Sequence, residues 1–295
     1  MLVACVLSPS IAIAHEAGRP AASPSGWDLA VVSLLSAGGL LYALGSWRLA
    51  QRGARVRPVE RAAFWVGWAV LVLAVAPPMD RAAAWRFSSH MTQHELLMLV
   101  GAPLVVVGRP VTPWLVALPP AWRPHAAAGL QSRAMSGAWR AMTAPAVAWA
   151  LHGVVIWVWH VPVLYEAAVR SEAVHAFQHA TFVGTAILFW WGLVYGRYGR
   201  AAYGAAVLFV FVTALHTGIL GALFTFSSAP FYPLYVARAA ERGVDALTDQ
   251  QLAGLVMWIP AGVILMLFGL GLLLAWLSEA ERRERHRQEA RRRAG

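Results

Sequence analysis

The 295-residue chain has a single cysteine, no lysine and few charges of any kind. The lone thiol, Cys5, excludes an intrachain disulfide framework and any cysteine-based zinc motif. A metal site must therefore draw on histidine, methionine or carboxylate. Charged residues make up 13% of the chain, where a soluble domain carries roughly 25%. That deficit points to the bilayer. With no lysine, arginine is the whole basic complement, and the net charge is +10. The arginines lie in the gaps between apolar runs, the pattern of loops facing anionic lipid. Membrane lipid is thus an expected partner, and nucleic acid is not.

What the chain does have is apolar length: 59% of residues are hydrophobic, and tryptophan, which favours the membrane interface, occurs 15 times. Seven apolar runs approach the roughly 20 residues needed to span a bilayer. They are Trp27–Trp47, Ala62–Pro78, Ser88–Gly108, Ala144–His160, Glu172–Tyr195, Ala201–Phe226 and Gln251–Leu277. Internal prolines such as Pro103 and Pro260 are tolerable there, because neighbouring helices re-satisfy the freed backbone. The expected fold is an all-α, polytopic membrane bundle of about seven helices. Residues 1–26 form a signal-like segment and a loop, 27–277 the membrane domain, and 278–295 a basic cytoplasmic tail. The segment 1–14 ends in Ala12-Ile13-Ala14, like a signal peptide, but lacks a basic start.

Arginine also sets the expected orientation. Arg48, Arg52, Arg55, Arg57 and Arg61 follow the first run, and Arg109, Arg123, Arg133 and Arg140 follow the third. Arg197 and Arg200 follow the fifth, and Arg282, Arg283, Arg285, Arg287, Arg291, Arg292 and Arg293 crowd the tail. The opposite side holds Arg19, Arg81, Arg86, Arg170, Arg238 and Arg242. The positive-inside rule then places the N-terminus outside and the C-terminus inside. The stretch Ala126–Met142, in the longest inner loop, fits an amphipathic helix along the membrane surface. The helix-prone tail reads as an anchor at the lipid surface.

On this topology every histidine except His125 and His286 falls on the outer side. His90 and His94 open the third run, and His175 and His179 open the fifth. Each pair is spaced i,i+4, so both rings share one helix face, with Cβ atoms about 5–6 Å apart. Two helices thus offer chelating pairs at matched depth. His152 and His160 lie eight apart in the fourth run, His216 lies within the sixth, and His15 precedes the first. A lone histidine near a helix end is ordinarily satisfied by water or a carbonyl. Two matched pairs are harder to explain that way, since ionisable groups in a membrane are costly and face the interior. Imidazole suits zinc, copper, iron and nickel, while the thioethers of Met79, Met91 and Met98 would favour Cu(I) or simply pack. Asp80, Glu95, Glu166, Glu172, Asp245 and Asp249 lie near in sequence. Glu95, beside His94, fits a ligand, a partner for an imidazole N–H, or an ion pair with Arg86, and the imidazole partner is preferred. The aromatics Trp157, Trp159, Tyr165, Tyr232 and Tyr235 resemble a lid and read chiefly as an interfacial belt.

Five strings carry a family resemblance. They are HMTQHELLMLVGAPLVVVGRP (90–110), WHVPVLYEAA (159–168), HAFQHATFVGTAILFW (175–190), LGALFTFSSAPFYPLY (220–235) and DQQLAGLVMWIPAG (249–262). Together they resemble the CtaG-type cytochrome c oxidase assembly factor family. The resemblance implies a seven-helix protein of the bacterial cytoplasmic (inner) membrane that helps mature haem–copper oxidases by handling copper. The family's recurrent histidines fall on His90, His94, His160, His175 and His179, and its Asp-Gln pair on Asp249 and Gln250. Glu95 departs from the family pattern, where an apolar residue usually follows the second histidine. The expected site is His90, His94, His175 and His179, completed by His160 or His216, with Met91, Glu95, Asp249 and Gln250 supporting or docking. The expected cargo is Cu(I), the expected partners are cytochrome c oxidase subunits, and no catalytic role is expected. Two other readings stay open: a haem-binding electron carrier, and a zinc-dependent intramembrane hydrolase using Glu95 or Asp249 as base. Cleavage after Ala14 would make His15 an N-terminal copper chelate.

Overall fold

A computed structural model describes residues 26–196 and 200–294. Residues 1–25 lie outside it, and with them the signal-like segment and His15; Arg197 lies outside it too. The described residues are helical with short connections, and no strand occurs among them.

Five helices are long and apolar enough to cross a membrane. They are α1 (Gly26–Gln51), α2 (Pro58–Val75), α11 (Glu172–Tyr195), α12 (Arg200–Thr225) and α14 (Ala246–Ala294). The start of α2 is set by Pro58, whose fixed φ suits the first turn, and by Glu60 at the positive end of the helix dipole. It stops at Val75, not Pro78. Ala76 is extended ahead of Pro77, as a residue preceding proline prefers, and Pro77 opens the short α3 (Pro77–Ala83).

The third and fourth expected spans are helical over nearly their expected bounds, but each joins a neighbouring short helix through a sharp bend. The third runs as α4 (Phe87–Glu95), a π-helical turn (Leu96–Gly101) and α5 (Ala102–Val107). It then turns by 65° into α6 (Val111–Ala117). The turn follows Gly108, which lies against the Phe64 backbone with no room for a Cβ, and Arg109 adopts φ 47°. The fourth expected span, Ala144–His160, yields only α9 (Pro145–Trp159), 15 residues long. It passes as a span only with α8 (Arg133–Met142), from which it is bent by 67°. The expected surface helix Ala126–Met142 is likewise two helices, α7 (Arg123–Gln131) and α8, divided at Ser132. Ser132 is extended and its Oγ accepts from Met135 N at 3.3 Å, so it ends one helix and caps the next. With each bent pair taken as one span, the count reaches seven. The chain is a multi-pass membrane protein. Two more short helices, α10 (Pro162–Arg170) and α13 (Pro233–Ala240), follow α9 and α12. The basic tail continues α14 without a break, with pairs such as Arg283–Glu279 at 2.6 Å one turn apart.

Packing is inside-out relative to a soluble bundle. Phe211, Leu267 and many other large apolar side chains face outward, where lipid replaces water. Without a hydrophobic force between helices, close contact depends on small residues. Gly221 and Gly254 show this: a Cβ on either would meet the other's carbonyl at 2.8 or 2.4 Å. That contact locks α12 to α14. The main core gathers Phe87, Tyr165, Phe182, Trp190, Phe224, Tyr232 and Tyr235. A second core stacks Tyr42 on Phe64 between α1 and α2.

The bundle has two chemically distinct poles. At one, the end of α5 meets the end of α11: Arg109 Nε donates to Tyr195 Oη at 3.0 Å and lies 3.7 Å from Glu60. Arg48 stands at the same end, on the last turn of α1. The starts of α4, α11 and α14 make the other pole, and there the histidines collect.

Candidate metal centre

The two i,i+4 pairs face each other across α4 and α11. Ring centroids of His90 and His94 are 4.4 Å apart, and those of His175 and His179 are 4.1 Å apart. Across the helices, His90 lies 5.0 Å from His175, and His94 lies 5.2 Å from His179. One ring nitrogen from each of His90, His175 and His179 falls within a mutual 4.8 Å, a spacing that could hold one ion. His90 and His94 are buried, while His175 is 22% exposed.

Hydrogen bonding fixes which nitrogen His90 presents. Tyr235 Oη donates its one hydrogen to the Ala83 carbonyl at 2.8 Å. Its contact of 2.8 Å with His90 Nδ1 must then be donated by the imidazole. The proton sits on Nδ1, and Nε2 keeps its lone pair with no partner among the described residues. His160 repeats the arrangement. Its Nδ1 donates to the Ile156 carbonyl at 2.7 Å, leaving Nε2 buried and unpartnered. Both nitrogens of His94 and Nε2 of His179 are also buried without a partner among the described residues. Orphaned buried nitrogens are costly. An imidazole held through one nitrogen with the other free is the form that ligates metal.

The helices that carry the histidines are held by buried polar caps. Asp249, on the first turn of α14, caps the histidine-bearing α4: Oδ2 accepts from Phe87 N at 2.7 Å and Oδ1 from Ser88 Oγ at 2.5 Å. Gln250 holds the loop after α12, accepting from Phe231 N at 2.6 Å and donating to the Ala229 carbonyl at 3.3 Å. Both expected supporting residues therefore position the helices instead of reaching the imidazoles. Glu166 and Asp245 are capping groups as well, accepting from Leu234 N at 2.9 Å and Thr248 N at 2.7 Å. Asp80 is the carboxylate at the cluster, 4.0 Å from His175 Nδ1 and bonded by Gln93 Nε2 at 3.3 Å.

The remaining expected residues divide. His160 terminates α9 instead of lying within it, and reaches the cluster through shared neighbours. Its ring is 6.2 Å from Tyr165 and 6.4 Å from Phe182, which in turn touch His90 and His94. His216 sits with Trp157, whose Nε1 donates to its Nδ1 at 3.3 Å, and against Gly153. Met91 is packed in the main core. Glu95 lies where α4 passes into the π-helical turn, with Oε2 buried, and makes no ion pair with Arg86 among the described residues. Arg86 instead stacks on Trp85 at 5.0 Å.

Tyr165, Tyr232 and Tyr235 are not an interfacial belt: all three are buried, and Tyr232 Oη donates to the His160 carbonyl at 2.9 Å. The sequence reading also missed Gln93 and Gln178, both fully buried. A signal for them existed, since each directly precedes the second histidine of its pair. A cleft of about 290 Å³, lined by Asp80, Glu172, Arg170 and Arg238, runs from the surface to His90 and His175.

A multi-pass membrane bundle with converging histidine pairs at one pole is the class these features define. Within it, the chain belongs to the cytochrome c oxidase caa3 assembly factor family (Caa3_CtaG), which it matches over residues 40–279. Two curated relatives, uncharacterized proteins of Mycobacterium bovis and Mycobacterium tuberculosis, are each 26% identical over 273 residues. The match covers 86% of this chain but only 40% of either relative, so the chain spans well under half their length. No solved structure matches the chain.

Proposed function

We propose that this protein binds copper as Cu(I) at His90, His94, His175 and His179 and passes it to a cytochrome c oxidase subunit during assembly. The observation that carries this reading is the convergence of His90, His175 and His179 nitrogens within 4.8 Å, with His94 against the same rings. Imidazole is a competent copper ligand, and Cu(I) accepts the low coordination numbers that delivery requires. His160, whose Nε2 has no partner among the described residues and whose ring neighbours Tyr165 and Phe182, would be a further ligand. The cleft beside Asp80 and His175 gives the ion a way in and out, and family membership supplies the oxidase as recipient.

The close packing of the rings, 4.1–5.2 Å between neighbouring centroids, favours one small ion over a haem, whose macrocycle needs a slot between its axial imidazoles. A zinc hydrolase would need a carboxylate base at the metal. Glu95 and Asp249, the two expected bases, are respectively held in the helix junction and spent on the α4 cap, and Asp80, the carboxylate that does stand at the cluster, is engaged by Gln93 Nε2. The protein therefore works as a carrier in the bacterial cytoplasmic membrane, with the histidine pole outside and the arginine pole inside, as the positive-inside rule requires. The test is complementation in a strain lacking this gene. Wild type should restore the copper content of the membrane oxidase, and His90→Ala/His94→Ala should not. Full restoration by the double variant would refute the proposal.

A further inference from the structure

Away from the histidines, the arginine pole carries a cleft of about 360 Å³ lined by Trp47, Arg48, Gln51, Arg52, Pro120 and Arg123. Arginine at the end of α1 complements the helix dipole, which accounts for Arg48 and Arg52. It does not account for Arg123, which arrives from a separate element and faces the same space. Arg48 Nη1 donates to the carbonyls of Ala117 at 2.5 Å and Leu118 at 3.1 Å, and Arg123 Nε donates to Leu118 at 2.9 Å. These two guanidiniums are thereby fixed in place on the end of α6, with other N–H groups left over. Desolvation, followed by the charges of Arg52 and Arg48, lowers the Arg123 guanidinium below its usual value. Among the described residues no carboxylate lines the cleft. Three converging cations without an acid form a site for an anion, and guanidinium matches phosphate oxygens in particular.

The depth of the cleft selects the source. The candidate span Ala30–Gln51 ends at its rim, where an aqueous surface meets the bilayer. Trp47, 59% exposed, stands at the level where indole rings sit among headgroups. We propose that this cleft binds the phosphate of an anionic phospholipid headgroup, with Arg52 and Arg123 as the principal contacts. Basic pockets between helices on the positive side of membrane proteins have this chemistry. The site is independent of the histidine cluster and of what that cluster carries.

The test uses the full chain in a neutral detergent, titrated calorimetrically with short-chain phosphatidylglycerol, short-chain phosphatidylcholine and inorganic phosphate. The proposal expects phosphatidylglycerol to bind and the other two to bind much more weakly. Arg52→Gln/Arg123→Gln should weaken phosphatidylglycerol about tenfold or more, as expected for lost charge-assisted hydrogen bonds. Arg133→Gln/Arg140→Gln, with the same charge change on α8, should not. Circular dichroism of each variant checks that the helices remain. Equal binding of inorganic phosphate would assign the site to free phosphate and overturn the lipid assignment. Equal weakening in both double variants would reduce the effect to general surface charge, and no binding of phosphatidylglycerol would overturn the proposal outright.

Discussion

His90 shows how much of the proposed centre depends on groups that are not themselves ligands. Its ring is oriented by Tyr235, which is in turn anchored on the Ala83 carbonyl. Removing the Tyr235 hydroxyl should free the ring to rotate and lose the bias towards the Nδ1–H form. Tyr235→Phe is therefore expected to weaken copper binding about 10–100-fold, the usual cost of losing a partner behind a metal-bound imidazole. Competition against a Cu(I) chelator would measure it; an unchanged affinity would show that Tyr235 does not orient His90. His216→Ala gives the opposite expectation. Its ring is engaged with Trp157, away from the facing pairs, so copper stoichiometry should be unchanged by elemental analysis. At this scale the sequence was legible wherever spacing along one helix mattered. The pairs His90/His94 and His175/His179 were readable because i,i+4 residues must share a face. Tyr235 was not, because it meets His90 across 145 positions of chain, and no local pattern encodes that contact.

At the scale of elements, the centre stands on the junction between α4 and α14. Asp249 accepts two backbone N–H groups and one hydroxyl at the start of α4, satisfying donors that a helix terminus otherwise leaves bare. Asp249→Ala should destabilise the fold by about 1–2 kcal/mol, as loss of a helix cap does. It should also lower copper occupancy, because His90 lies one turn beyond the cap. Thermal unfolding in detergent, with and without Cu(I), would separate the two effects. The crossing of α12 over α14 is the second support. Gly254→Leu would drive a side chain into the Gly221 carbonyl and Thr225, so the helices must part. The expected result is a large loss of thermal stability, and a variant as stable as wild type would contradict the crossing. The apolar runs made the long helices easy to place, since only length and composition were needed. Two finer features were hidden. The sharp turn into α6 depends on Gly108 lying against Phe64, and the division of the expected surface helix depends on Ser132 turning its hydroxyl back to cap α8. Both are tertiary or capping events that composition does not mark.

Across the whole molecule, chemistry is sorted by pole. The paired imidazoles and the carboxylate caps gather at one end, and most of the arginines follow the elements that close the other. Alternation of arginine-rich and arginine-poor loops carried that sorting in the sequence, which is why the separation was foreseeable while the cleft between α1 and Arg123 was not. The arrangement suits a carrier. On the proposed function the ion would be held where helices begin, close to a cleft that opens to the surface, with the opposite end set against the lipid headgroups. The measurement that bears most directly on this account is elemental analysis of detergent-purified protein, beside the His90→Ala/His94→Ala variant, with a visible spectrum of each. The account predicts near-stoichiometric copper in the wild type, its loss in the variant, and no haem band in either. Folded wild-type protein that takes up no Cu(I), or a haem band that disappears with the two histidines, would contradict it.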